Sequence, residues 1–143
     1  MAEGEASYRF VTEHGESKSS RNFTGRATAY YENGDIYDGE YVEGIRNGKG
    51  IYRYGQSKHM YEGGWEDNMR SGIGKMQYFG VGDYQGYWEN NRMHGEGQFT
   101  YKNGDVYSGW YKYGVKEGYG TYSFKETGMK MTGEWKNGQI VTG

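Results

Sequence analysis

The 143-residue sequence contains no cysteine, no proline and no leucine. Without cysteine the chain can form neither disulfides nor thiolate metal sites. Leucine is among the residues that most favour helices and fill their apolar faces, so its absence argues against amphipathic helices. The sequence also lacks an apolar run approaching the roughly 20 residues of a membrane-spanning helix. These absences disfavour helical bundles, thiolate metalloproteins and membrane-spanning proteins.

A strong charge of either sign is missing as well. Seventeen Lys and Arg residues stand against nineteen Asp and Glu residues, which gives a net charge of −2. Proteins that bind nucleic acid usually carry a clustered basic surface, so this balance predicts no nucleic-acid partner. The first ten residues, MAEGEASYRF, lack the basic-then-apolar layout of a secretory signal. We therefore expect a cytoplasmic protein.

Glycine and aromatic residues are abundant instead, with 27 Gly, 17 Tyr and 4 Trp. The mean hydropathy of −1.11 would suit a disordered chain. Disordered chains are poor in aromatic residues, however, and these make up 18% of this sequence. The aromatic content therefore predicts an ordered fold.

A five-residue pattern, aromatic-x-Gly-x-aromatic, recurs along the chain. It occupies residues 37–41, 61–65, 84–88 and 107–111, and returns as MTGEW at 131–135. Successive copies begin 24, 23, 23 and 24 residues apart. A Gly-x-Gly follows each of the first four copies, at 48–50, 72–74, 95–97 and 118–120. A fixed period of this length is typical of repeat proteins, in which each unit covers its neighbour.

Within each repeat the recurring residues are two apart, which is the period of a β-strand. Directly paired antiparallel residues project to the same face, so the spacing predicts a register. It places Tyr111 opposite Gly118 and leaves a four-residue hairpin loop at residues 113–116. The same register places Gly109 opposite Gly120 and Tyr107 opposite Tyr122. The same rule places Tyr101 opposite Tyr107 between two repeats, with an Asn-Gly-Asp loop at 103–105.

We therefore predict an all-β protein, an elongated single-layer antiparallel meander of about ten strands. Aromatic rings should lie on cross-strand glycines along one face, because a glycine leaves flat backbone for a ring to cover. The predicted structural residues of this face are Tyr37, Gly39, Tyr41, Tyr61, Gly63, Trp65, Tyr84, Gly86, Trp88, Tyr107, Gly109, Tyr111, Gly133 and Trp135.

This unit resembles the MORN repeat, whose pattern is Y-x-G-x-W-x-x-G-x-x-x-G-x-G. The resemblance covers about residues 23–138. It implies an array over residues 23–143, preceded by a flexible N-terminal lead at 1–22. The array divides into a half repeat at 23–36, full repeats at 37–60, 61–83, 84–106 and 107–130, and a partial repeat at 131–143, where Thr142 occupies an expected glycine position.

Residues that could carry catalysis are few and scattered. His14, His59 and His94 have no Cys or carboxylate cluster near them in the sequence. Each Gly-x-Gly is followed by a predicted strand rather than by the helix N-terminus that would receive a phosphate. We predict a non-enzyme with no catalytic, cofactor-binding or metal-binding residues.

The opposite face of the predicted sheet is mostly polar, but Tyr87, Trp110 and Tyr119 break that pattern. The predicted register places Trp110 directly opposite Tyr119. An aromatic patch on a solvated sheet face is typical of a contact surface, so these three residues are the predicted partner-binding site. The alternative is that the rings only shield the sheet.

Beyond the repeat pattern itself, the spacer residues of two stretches resemble those of the MORN-type subunits of the radial spoke head in motile cilia and flagella. These stretches are Gly25 to Gly50, and Gly120 to Trp135 with the sequence GTYSFKETGMKMTGEW. The resemblance implies a structural subunit of the axonemal cytoskeleton, bound to other radial spoke head subunits. A homodimer is also compatible with the sequence.

Other roles for such an array include a membrane-apposed lipid-binding adaptor, another cytoskeletal scaffold, and the non-catalytic part of a larger enzyme. Residues 102–136 contain six Lys against four acidic residues, and residues 35–67 contain four basic against seven acidic residues. Anionic headgroups attract clustered Lys and Arg at about 1 kcal/mol per residue. This mild charge distribution makes membrane binding the less favoured prediction.

Overall fold

A computed structural model describes residues 8–141. Within this range thirteen strands form one antiparallel sheet and no helix occurs, which confirms the predicted all-β meander. From β3 onward the strands follow each other in sequence order, while β1 pairs with both β2 and β3. The strands are β1 (Arg9–Thr12), β2 (Gly15–Ser17), β3 (Gly25–Tyr30), β4 (Ile36–Val42), β5 (Ile45–Arg53), β6 (Met60–Glu66), β7 (Met69–Tyr78), β8 (Gly82–Glu89), β9 (Arg92–Tyr101), β10 (Val106–Lys112), β11 (Val115–Ser123), β12 (Lys130–Lys136) and β13 (Gln139–Ile140).

One unbroken row of glycines crosses the sheet from β4 to β12. Glycine pairs with glycine inside each hairpin and again between consecutive repeats. The predicted pairs Tyr107–Tyr122 and Gly109–Gly120 are both present. The glycine row therefore provides the flat backbone that the sequence pattern predicted.

Each repeat places its first aromatic ring across this row. The rings of Tyr37, Tyr61, Tyr84 and Tyr107 are fully buried. Each hydroxyl donates to the backbone carbonyl three residues later, as Tyr84 does to Tyr87 at 2.9 Å. Each ring also makes an edge-to-face contact with the second aromatic residue of its own repeat and of the next. This aromatic–glycine side, called the front face here, is the hydrophobic core.

The hairpins differ from the predicted register near their turns. Tyr111 pairs with Lys116 instead of Gly118, and the turn contains only Tyr113 and Gly114, both with positive φ. That geometry is the favoured two-residue hairpin turn. Val115 and Lys116, expected in the loop, instead pair with β10, and the two surplus residues form a β-bulge in which residues 117–119 face Trp110 alone. Because the register changes by two residues, which is the side-chain period of a strand, each side chain stays on the face predicted for it.

The loop between repeats also differs from the prediction. Tyr107 lies opposite Phe99 instead of Tyr101, and the loop between β9 and β10 covers residues 102–105. At the end of this loop lies Asp105, near the end of β11. The Asp105 carboxylate accepts hydrogen bonds from the Tyr122 hydroxyl at 2.8 Å and from the Lys125 N–H at 2.9 Å. Asp35 makes the equivalent bonds to Tyr52 and Gly55.

A column of long side chains also packs on the front face. Each member lies directly opposite the second aromatic residue of its repeat. The guanidinium carbons of Arg46 and Arg70 lie 5.0 Å from the ring centroids of Trp65 and Trp88. Cation–π contacts of this kind strengthen when they are shielded from water. The members of the column are Arg46, Arg70, Met93 and Lys116.

The N-terminal segment does not form the expected flexible lead over residues 8–22. The strands β1 and β2 extend the sheet, and the side chains of Tyr8 and Phe10 are buried. Tyr8 stacks on Tyr31 with ring centroids 5.2 Å apart, and Phe10 meets Tyr41 edge to face at 5.0 Å. These rings cap the first repeat. Residues 1–7 and the predicted glycine-position residue Thr142 lie outside the described residues.

The buried tyrosines predict a specific response to alkaline pH. Burial raises the pKa of Tyr107 to about 12, and burial together with the bond to Asp105 raises the pKa of Tyr122 to about 12, from an ordinary value of 10.0. Burial raises the pKa of Tyr37, Tyr61 and Tyr84 further. A raised folded-state pKa stabilises the fold fully below the unfolded-state value, and that stabilisation disappears as the pH passes the folded-state value.

We therefore expect stability to be insensitive to these groups below about pH 10 and to fall steeply between about pH 10 and 12. Tyrosinate absorbance and far-ultraviolet circular dichroism, followed in one titration, should change together for the buried class. Complete tyrosine ionisation with an unchanged β-sheet spectrum would contradict the prediction.

Candidate functional site

The structure places Tyr87, Trp110 and Tyr119 on the reverse face, the side of the sheet opposite the front face. Their side chains are 48%, 45% and 73% exposed, respectively. Because the sheet is a single layer, its own aromatic–glycine core cannot cover them. These three residues are therefore the largest rings that the C-terminal half of the reverse face presents to solvent.

Trp110 does not pair with Tyr119 as predicted. Trp110 pairs with Glu96 of β9, and Tyr119 pairs with Glu134 of β12. The reason is the bulge in β11, which places Trp110 against Gly118, where an added Cβ would lie 3.5 Å from the Trp110 Cβ. Each ring therefore has a carboxylate as its direct cross-strand neighbour.

Five consecutive strands, β8 to β12, contribute side chains to one row across the reverse face. Side chains of the row pair directly between β9 and β10 and between β11 and β12, while a bulge separates its other neighbouring members. In order they are Tyr87, Glu96, Trp110, Tyr119 and Glu134. We call this set the aromatic–acidic row. The sequence pattern identified its rings but not its carboxylates.

A second row runs parallel to the first on the same face. Its members pair directly from β8 to β12, and the hydroxyls of Thr121 and Thr132 are hydrogen-bonded at 2.9 Å. All five can donate and accept hydrogen bonds without carrying charge. This uncharged row consists of Gln85, Gln98, Ser108, Thr121 and Thr132.

A shallow open groove is lined by Tyr87, Glu96 and Tyr119 of the aromatic–acidic row and by all five members of the uncharged row. Glu96 is the one charged residue among those that line the groove within residues 8–141. A second groove, in the N-terminal half of the same face, has a mixed lining in which Arg26, Lys49 and Lys75 accompany Asp38 and Glu62. The C-terminal groove is thus aromatic and weakly acidic, while the N-terminal groove carries charges of both signs.

Neighbouring side chains hold Trp110 in place. His94 stacks on Tyr113 with ring centroids 4.3 Å apart and meets Trp110 edge to face at 6.0 Å. The His94 Nδ1 accepts the Tyr113 N–H at 3.2 Å, and its Nε2 lies 3.7 Å from the Glu89 carboxylate. His94 therefore positions the hairpin turn beside the aromatic–acidic row.

The described residues offer no clear arrangement for metal binding. Within residues 8–141 no group of three or more His, Cys, Asp or Glu side chains could hold a metal ion. His59, like His94, accepts a backbone N–H at Nδ1, in this case from Phe79 at 3.0 Å. In the same range there is no helix long and apolar enough to cross a membrane.

An open sheet of successive hairpins, with aromatic rings packed on a glycine row, defines a single-layer β-repeat protein. The MORN repeat model matches residues 37–57, 61–79, 84–106, 107–128 and 132–141. The chain therefore belongs to the MORN repeat family. This membership agrees with a non-enzymatic repeat protein that has a scaffold or protein-interaction role.

The chain is also similar to MORN repeat-containing protein 3 of Xenopus laevis. The two are 41% identical over 61 residues, which is 41% of this chain and 26% of that protein. The match thus spans about a quarter of the relative's length. It supports the repeat assignment for the aligned segment.

Proposed function

We propose that this protein is a non-catalytic scaffold subunit that binds partner proteins through the C-terminal half of its reverse face. The observation that carries the proposal is the exposure of Tyr87, Trp110 and Tyr119 on a sheet over which residues 8–141 form no second layer. Interface centres are enriched in aromatic residues, and contiguous exposed apolar patches mark interaction sites. The front-face rings, by contrast, are already used in the core.

The proposed assembly is the radial spoke head of a motile cilium or flagellum. The support is the resemblance of Gly25 to Gly50, and of Gly120 to Trp135, to MORN-type spoke-head subunits. The proposal implies a cytoplasmic location within the axonemal cytoskeleton, with other spoke-head subunits as the expected partners. A second copy of the chain is an alternative occupant of the same face.

The test replaces Tyr87, Trp110 and Tyr119 together by serine. Aromatic anchors at an interface centre typically contribute 2 kcal/mol or more, so partner affinity should fall about thirtyfold or further. Circular dichroism should show an intact fold, because the three rings lie outside the front-face core. Partner recovery is measured by pull-down from an extract of ciliated cells.

A matched control replaces Phe79, Val81 and Met129 by serine, since these apolar side chains are exposed to at least 52% but lie in loops between repeats. The control should recover partners as the wild type does. Undiminished recovery of every partner by the well-folded aromatic variant would reject the binding face. Flotation of the wild type with anionic liposomes would instead favour a lipid-binding adaptor, and capture of only the chain itself would favour a homodimer.

A further inference from the structure

We propose that the C-terminal groove binds an extended peptide segment whose arginine or lysine side chains lie between the rings and carboxylates of the aromatic–acidic row. The inference rests on the proposed scaffold function, because it specifies the chemistry of the partner at that same face. Three observations carry it: unpaired carboxylates, an arginine contact elsewhere on the face, and the uncharged row.

The carboxylates of this row lack cationic partners. Glu96 and Glu134 are exposed, and neither forms an ion pair with any residue in the range 8–141. Glu40 occupies the equivalent repeat position in the N-terminal half, and there Arg26 approaches its carboxylate to 3.9 Å. The first full repeat therefore has a cationic neighbour for the glutamate at this position, whereas Glu134 has none among the described residues.

The reverse face already contains one complete ring–carboxylate–arginine contact. Near the N-terminus, Arg9 places its guanidinium carbon 4.7 Å from the Tyr30 ring centroid. The same guanidinium donates from Nε to the Glu16 carboxylate at 2.7 Å. A planar guanidinium can stack on a ring and donate to a carboxylate at the same time. This contact shows how a partner's arginine would fit the ring–acid pairs of the aromatic–acidic row.

The pairs Glu96–Trp110 and Tyr119–Glu134 provide the same ring and acid as direct cross-strand neighbours. Side chains paired in this way have Cβ atoms about 5 Å apart, which is close enough for one guanidinium to contact both. Lysine can also pair with the carboxylate, but it lacks the planar group that stacks on a ring. We therefore expect arginine to bind more tightly than lysine.

The uncharged row indicates that the bound segment is extended. An extended backbone has unpaired N–H and C=O groups, and these need partners when they are removed from water. Gln98, Ser108 and Thr121 line the C-terminal groove and can donate or accept such hydrogen bonds. Nucleic acid and anionic lipid fit this surface poorly, because their phosphates would face Glu96 and Glu134.

The experiment measures binding of the full chain to short synthetic peptides of alternating threonine and arginine. Matched peptides carry lysine, neutral citrulline or glutamate in place of arginine. Amide chemical shifts measured by NMR, at physiological ionic strength, report both affinity and location. The arginine peptide should bind at least about tenfold more tightly than the citrulline and glutamate peptides, and should shift the resonances of β8 to β12.

The double variant Glu96→Gln/Glu134→Gln removes the charges while keeping the size of both side chains. Its affinity for the arginine peptide should fall about tenfold or more. The control variant Glu62→Gln/Glu66→Gln makes the same charge change in the N-terminal half and should bind as the wild type does. Equal binding of the arginine and glutamate peptides, or no binding of either, would overturn the inference.

The same charge variant separates this inference from the proposed function when it is used in the pull-down. One outcome is that the serine variant of the three rings loses its partners while Glu96→Gln/Glu134→Gln retains them. That result would support the proposed binding face and reject the basic peptide as its ligand. If both variants retain every partner, the proposed function fails as well. Binding of phosphatidylserine vesicles at β8 to β12, with no binding of the arginine peptide, would overturn the inference and indicate that this face binds a lipid surface.

Discussion

Replacement of Gly97 by valine should lower the free energy of unfolding by about 3 kcal/mol or more, since overpacking of a rigid core is among the costliest changes. A Cβ at this position would lie 2.5 Å from Cζ of the buried Tyr84 ring and would overlap its hydroxyl. The ring would have to leave the glycine row. The hydrogen bond from its hydroxyl to the Tyr87 carbonyl, now 2.9 Å long, would be lost with it.

Gly133→Val is the matched control, because Gly133 lies in the same glycine row but no ring covers it. Met131 replaces the tyrosine of that repeat, and the nearest atom to a Cβ at Gly133 is Ile140 Cδ1 at 3.4 Å. Urea unfolding followed by circular dichroism should show a much larger loss of stability for Gly97→Val. Equal midpoints for the two variants would contradict the role of the glycine row as a platform for rings.

Replacement of Trp88 by alanine should cost about 3–5 kcal/mol, the usual loss for a buried tryptophan. The side chain is only 4% exposed, and its indole N–H donates to the Gly74 carbonyl at 3.1 Å. It also meets the Tyr61 and Tyr84 rings edge to face, each at 5.3 Å. Trp65 has the equivalent contacts, so Trp65→Ala should be similarly destabilising.

Trp110→Ala provides the control for Trp88→Ala, because it removes the same side chain from the reverse face, where 45% of it is exposed. Its effect on stability should be within about 1 kcal/mol. Thermal melts and urea midpoints measure both effects. A Trp88→Ala variant that melts within about a degree of the wild type would disprove the packing of tryptophan on the glycine row.

The repeat spacing predicted the glycine row and the faces of the strands, because a two-residue period leaves little choice of face. It could not locate the bulge. Two hairpin geometries fit the spacing equally well. One has a four-residue loop, and the other has a two-residue turn followed by a two-residue bulge. Both give Tyr107 and Gly109 the same partners. The preference for the positive-φ turn at Tyr113 and Gly114 decides between them.

The same ambiguity explains why the sequence indicates only part of the candidate site. Tyr87, Trp110 and Tyr119 were identifiable because large rings interrupt a polar pattern. Identifying their acidic neighbours requires knowing which residue lies opposite each ring. The sequence does not give this, because the bulge changes the pairing. The N-terminal cap was missed because Tyr8 and Phe10 carry the two-residue alternation without the repeat's glycines.

The sequential strand order has a consequence for how the chain folds. From β4 to β12 each strand pairs only with the strands that immediately precede and follow it along the chain. Folding rates rise as contacts become more local, and repeat arrays can nucleate at any unit and propagate to its neighbours. Most β-sandwiches must wait for distant segments to meet. This sheet can instead close one hairpin after another, so the emerging chain can fold while its synthesis continues.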